Sequence, residues 1–128
     1  MNYIGTIIEE SLGDSKVLSL VKILSTKVED VTDKHQTLWL KKWTLHKVEI
    51  PQDRVEKINN LLSANLQENY WYADYKNDKW HYIIFHAKIF KVDKQDPYVY
   101  REAREHGLSL GIPSYQLDFD PNIIKWER

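Results

Sequence analysis

Two β-prone aromatic runs, Trp71-Tyr72-Ala73-Asp74-Tyr75 and Trp80-His81-Tyr82-Ile83-Ile84-Phe85, stand on either side of the polar tetrad Lys76-Asn77-Asp78-Lys79. Aromatic and β-branched side chains favour strands, and a short Asn-Asp loop between two such runs favours a hairpin. The spacing predicts adjacent antiparallel strands, and the rest of the fold has to accommodate them. Beyond Phe85, either His86-Ala87-Lys88 turns the chain again or Ile89-Phe90-Lys91-Val92 continues the strand.

A helix is predicted just upstream. Val55, Ile58, Leu61, Leu62 and Leu66 recur at three- and four-residue steps and form one apolar stripe, while Arg54, Lys57, Asn59, Asn60 and Asn65 face away. Pro51 stops the preceding segment, and Asp53 with Glu56 reads as a capping box. A second helix is marked by Asp96 as N-cap and Pro97 in the first turn, where a missing N–H costs nothing. Tyr100, Ala103, Gly107 and Leu110 share its inner face, with Gly107 expected to admit another backbone. Gly111 followed by Pro113 ends it.

The other strands are shorter signals. Tyr3 to Glu9 is rich in β-branched residues, and Asp14 or Ser15 can cap a helical turn through Val17, Leu18, Leu20 and Val21, a run that would also suit a strand. Between Ile23 and Val31, Leu24, Thr26 and Val28 alternate with Ser25, Lys27 and Glu29, the period of a half-buried strand. From Leu38 to Ile50 the alternation changes phase: Trp43 and Leu45 share one side, Val48 and Ile50 the other. A bulge near His46 is preferred to coverage of both faces. The tail is expected to add a short extended piece at Gln116 to Phe119, pinned by Tyr115, Phe119 and Trp126.

Taken in order, these elements predict an α+β fold. Its mainly antiparallel sheet carries two main helices on one face, with a mixed sheet as the alternative, and residues 1–128 form a single domain. The sequence has no cysteine, which fits a reducing cytoplasm. Glu9 and Glu10 stand where a signal peptide would be apolar, and no apolar run nears the ~20 residues that span a bilayer. Lys plus Arg number 18 against 19 Asp plus Glu, dispersed along the chain, so no basic stripe for nucleic acid is visible. Lys41, Lys42 and Lys47 read as a solvated face.

No glycine-rich phosphate loop, paired-His helix motif or nucleophile elbow is present. His46, His81 and His86 lie on neighbouring predicted strands, but the odd step from His81 to His86 sends them to opposite faces, so at most two converge. Asp74 among Tyr72, Tyr75 and Tyr82 could serve as an acid or base, although satisfying the hairpin loop or pairing with Lys79 is the plainer role. Asp118 and Asp120 with Glu9 and Glu10 could bind a hard cation, against the simpler reading of solvated charge. The excess of five Trp and eight Tyr leaves a pocket, a core or a dimer patch open. Trp39, Trp43, Trp71, Trp80 and Tyr82 are the pocket candidates, with His46 or Asp74 orienting a ligand.

The phrases Gly5-Thr6-Ile7-Ile8-Glu9-Glu10-Ser11-Leu12, Trp43-Thr44-Leu45-His46, Trp71-Tyr72-Ala73-Asp74 and Leu110-Gly111-Ile112-Pro113 resemble a small family of uncharacterised bacterial proteins of similar length. That resemblance implies a bacterial cytoplasmic source and brings no activity, ligand or catalytic residue with it.

The function expected from all this is a small binding or regulatory domain, its partner a small molecule or a protein. Its ligand-binding residues are Trp43, His46, Trp71, Asp74, Trp80 and Tyr82. A homodimer, a small enzyme using His46, Asp74 and His81 as acid and base, and a structural or protein-interaction module are the alternatives. No metal, cofactor, nucleic acid or membrane is expected.

Overall fold

The computed structural model describes residues 1–32, 40–113, 116 and 117. Six strands, β1 (Tyr3–Ile8), β2 (Lys22–Asp30), β3 (Lys42–Ile50), β4 (Ala73–Lys76), β5 (Trp80–Phe85) and β6 (Lys88–Asp93), form one sheet in the order β2-β3-β1-β4-β5-β6. Every neighbouring pair is antiparallel. Helices α1 (Val55–Asn65) and α2 (Pro97–Ser109) complete the α+β fold. Strands β3 and β4, joined through α1, run parallel to each other. Because β1 lies between them, the sheet is nonetheless antiparallel throughout.

The predicted hairpin is β4–β5. Asn77 shapes its loop by accepting from the backbone N–H groups of Lys79 and Trp80 at 3.0 and 2.8 Å, the local bonding that suits Asn to turns. The chain then turns at His86 and Ala87, the latter in the left-handed region at φ 57°, and returns as β6.

Alternation along β5 decides where the helices go. Tyr82 and Ile84 pack with Val55, Ile58 and Leu62 of α1, whereas Ile83 and Phe85 pack with Tyr100 and Ala103 of α2. Successive strand side chains point to opposite faces, so the two helices cover opposite faces. The expectation that both lie on one face is corrected on this point. Each fully buried large aliphatic or aromatic chain in these layers contributes about 1.5–3 kcal/mol relative to exposure; α1 supplies Val55, Ile58 and Leu62, and α2 supplies Tyr100.

The caps differ in the same instructive way. Helix α1 starts at Val55 behind a turn in which Arg54 N–H donates to Pro51 O, and no side chain caps it. The Asp53–Glu56 capping box does not form. Asn59, expected outside, is buried and accepts from the Tyr75 hydroxyl. Helix α2 does use Asp96, which accepts from Tyr98 N–H at 3.0 Å. It ends with Ile112 N–H on Gly107 O and Gly111 N–H on Leu108 O, a Schellman motif with Gly111 at φ 85°. Gly107 makes room for the Leu117 side chain, not for a backbone.

The loss of phase sensed in β3 has a different origin from the one expected. Residues Leu45 to Ile50 pair with β1 in unbroken register, and the irregularity lies in β2 between Ile23 and Ser25. Both faces of β3 carry buried side chains, with Trp43 and Leu45 on one and Val48 and Ile50 on the other. β2 itself is exposed along nearly its whole length, not half-buried. Before it, Asp14 accepts from Lys16 N–H and opens a 3-10 turn over Ser15–Leu20, as its side chain predicts. Of the predicted tail contacts, Tyr115, Phe119 and Trp126 lie outside the described residues.

His106 closes the last turn of α2 against Phe85 and Phe90, at centroid distances of 4.8 and 5.8 Å. Burial, and then the nearby Lys88 ammonium, push its pKa below the ordinary 6.5. The unfolded chain therefore takes up this proton first as pH falls, so the stability His106 confers is present above about pH 6.5 and is lost below it. Urea denaturation between pH 7 and 5 should show falling stability in the parent and a flatter profile in His106→Leu. Equal slopes would contradict the assignment.

Candidate functional site

The sheet divides the expected site residues between its two faces. His46 stands opposite Ile7 on the face covered by α1, whereas Asp74 and His81 lie on the face covered by α2. The three cannot share a reacting atom. His46 is held by Thr26 Oγ1 at 2.9 Å on Nδ1 and by Glu9 Oε1 at 3.1 Å on Nε2. Glu10 accepts from the backbone and side chain of Thr44. The carboxylates proposed for a cation thus bond to strand β3. Among the described residues no group of three or more His, Asp or Glu is placed to hold a metal ion, and Asp118 and Asp120 lie outside them.

Asp74 and His81 do meet. Asp74 Oδ2 is 2.9 Å from His81 Nε2, and His81 Nδ1 is 2.8 Å from the Tyr100 hydroxyl of α2. The partner of Asp74 Oδ2 in this arrangement is His81, from the neighbouring strand. The three groups are 0, 2 and 5% exposed, so the chain of bonds links helix to sheet in a place sealed from solvent. His86, in the β5–β6 turn, bonds instead to Leu66 O.

Of the aromatic residues expected to line a pocket, Trp43, Trp71 and Tyr82 are core. Trp43 and Trp71 pack together at 5.2 Å, both buried, and Trp71 Nε1 has no hydrogen-bond partner among the described residues. Tyr82 belongs to a buried trio with Tyr3 and Tyr75 under α1. Burial raises the phenol pKa of all three, that of Tyr75 most strongly, where neighbouring Tyr82, Asp74 and Tyr3 add to the effect. Trp80 lies at the rim beneath the ammonium groups of Lys91 and Lys79, at 4.4 and 5.0 Å. Trp39 lies outside the described residues.

An open groove lies elsewhere. α2 covers only the β5–β6 end of its face, and over β2, β3, β1 and β4 the same face carries a groove of about 460 Å³. Ile4, Thr6 and Leu45 form its floor, Lys27, Lys47, Lys76 and Lys94 stand around it, and Ser25, Asn2 and Asn77 add polar groups. Among its lining residues Asp78 is the sole acid. Lys27 also pairs with Glu29 at 3.1 Å, and Lys94 donates to Asn77 O at 3.2 Å. None of these lysines was singled out by a motif, because they come from β2, β3, β4 and the end of β6 and meet only through strand order.

No helix among the described residues is long and apolar enough to cross a membrane. Comparison with protein-family models, curated proteins and solved structures finds no match to this chain.

Proposed function

We propose that this chain is a binding domain that seats a small anionic ligand in the groove on the half of the sheet left open by α2. The observation that carries the reading is the presence of four lysines, Lys27, Lys47, Lys76 and Lys94, against the single acid Asp78 among the residues lining a groove of about 460 Å³. That volume lies within the usual range for small-molecule sites. Lysines outnumber acids four to one in this lining, so a ligand bearing two or more negative charges meets complementary charge there. Ile4, 41% exposed, offers its aliphatic surface to the body of the ligand. Thr6 and Ser25 hydroxyls and the Asn2 and Asn77 amides supply directional bonds that fix its pose.

The test uses thermal unfolding in the presence of citrate, inorganic pyrophosphate or a nucleoside triphosphate. A ligand at 100 times its dissociation constant stabilises the folded state by about 2.7 kcal/mol, which raises the midpoint by several degrees. Lys47→Glu combined with Lys76→Glu should weaken that response at least roughly tenfold in ligand concentration, equivalent to about 1.4 kcal/mol. Multivalent anions also stabilise proteins by exclusion from their surface, so the charge-reversed protein is the deciding control. An equal shift in both proteins, or no shift with any probe, would sink the reading.

A further inference from the structure

The sheet ends on β2, a nine-residue edge strand. Edge strands usually guard their unpaired backbone groups with charge, proline, brevity or a cover. The opposite edge, β6, lies beside α2, buries Phe90 and Val92, and presents Lys88 and Lys91. β2 carries Lys22, Lys27, Glu29 and Asp30, charges of both signs that can pair across two copies, and also exposes Ile23, Leu24 and Val28 at 43, 40 and 58%.

We infer that β2 pairs antiparallel with β2 of a second copy of this chain, about a two-fold axis at Thr26. The order of side chains selects that axis. The irregularity at Leu24 puts Lys22 on the same face as Ser25, Lys27 and Glu29, and Ile23 on the same face as Thr26 and Val28, as their partners along β3 require. With the axis at Thr26, Lys22 stands opposite Glu29 of the second copy, Ser25 opposite Lys27, and the Ile23-Leu24 bulge opposite Val28. Cross-strand pairs of opposite charge and of apolar residues stabilise a sheet. Moving the axis one residue towards the N-terminus opposes Lys22 to Lys27, and moving it one residue the other way opposes Lys27 to itself. Like charges are destabilising in both. Moving it to Val28 leaves Lys22, Ile23, Leu24 and Ser25 without partners in the other strand.

The joined sheets form one twelve-stranded surface, and since Ser25 and Lys27 line the groove, each groove gains a lysine from the second copy at its β2 wall. The association itself does not depend on the ligand-binding reading. It rests on the exposed edge and its charge order.

Sedimentation velocity across a wide concentration range tests it. The full chain should show a monomer–dimer equilibrium. Val28→Lys, at an exposed position whose circular dichroism should match the parent, should weaken the dimer at least roughly tenfold. Lys22→Glu alone and Glu29→Lys alone should each weaken it, whereas the two together restore the opposite-charge pairs and the association. A monomer at every concentration, or a dimer indifferent to Val28→Lys, would overturn the proposal. Failure of the double exchange to recover association would overturn the axis at Thr26. Since no anion is added, these results are independent of whether the groove binds one.

Discussion

Gly5→Ala should leave this chain unable to fold. Gly5 lies in β1 at the middle of the sheet, opposite Val48 on one side and Tyr75 on the other. A methyl group placed there would come within 1.9 Å of Asp74 O, 2.4 Å of Tyr75 Cα and 2.6 Å of Tyr75 Cβ. Two of these three are backbone atoms of the adjacent strand, so no rotamer change clears the space. β4 would have to move away from β1, and with it go Tyr75 and its bond to Asn59 of α1. Overpacking that side chains can absorb costs about 1–3 kcal/mol, and displacement of a paired backbone exceeds that. Against a total stability of about 5–15 kcal/mol, the expected result is loss of soluble protein, or a chain with an unfolded tryptophan emission spectrum. Gly13→Ala is the matched comparison, since its methyl would meet only Asn65 O, at 3.5 Å. That variant should stay folded. A Gly5→Ala protein with the parent's unfolding midpoint would mean that β1 and β4 are not packed this closely.

How much of this could be read from the residues follows from whether the cause is local. The stripe of α1, the Asn77 hairpin loop and the Asp96 and Gly111 ends of α2 are legible because the groups that make each bond lie within a few residues of one another. Asn59 was misjudged as solvated because its partner, Tyr75, is brought to it by the crossover from β3 to β4. The placement of the helices was misjudged although a signal existed. Tyr82 to Phe85 contains no polar residue, and a strand apolar at both parities is covered on both faces. The same logic explains β3, where Leu45 and Val48 are both buried without any bulge between them. For the site, the sequence brought Asp74 and His81 into view but set His46 beside them, because neighbouring strands in a list need not present the same face. The lysines of the groove carry no local pattern at all. Lys47 reads as a solvated charge on its own strand, and only strand order brings it into the company of Lys27 and Lys76.

The second large effect is expected where Asp74, His81 and Tyr100 meet. This chain of hydrogen bonds joins the centre of the sheet to α2 through polar atoms, in a layer built largely from apolar side chains such as Ile83, Phe85, Phe90 and Val92. Asp74→Leu fills the space but leaves His81 Nε2 buried without its acceptor. Stranding a buried polar group costs about 1–3 kcal/mol, and more where charge is involved. His81→Leu takes the imidazole partner from both the Asp74 carboxylate and the Tyr100 hydroxyl, and should be at least as damaging. Replacing both removes the mutual dependence, so the double variant should be more stable than the sum of the two losses by about 1–3 kcal/mol. Urea denaturation of the four proteins measures that coupling directly. The same set separates a framework role from a ligand-contacting one. Because Asp74 and His81 are sealed and the groove is walled by other residues, the folded double variant should respond to citrate or pyrophosphate at the parent's concentrations. Losses that simply add would mean the two side chains do not depend on each other. A lost anion response in a double variant that still folds would place Asp74 and His81 in the binding machinery instead.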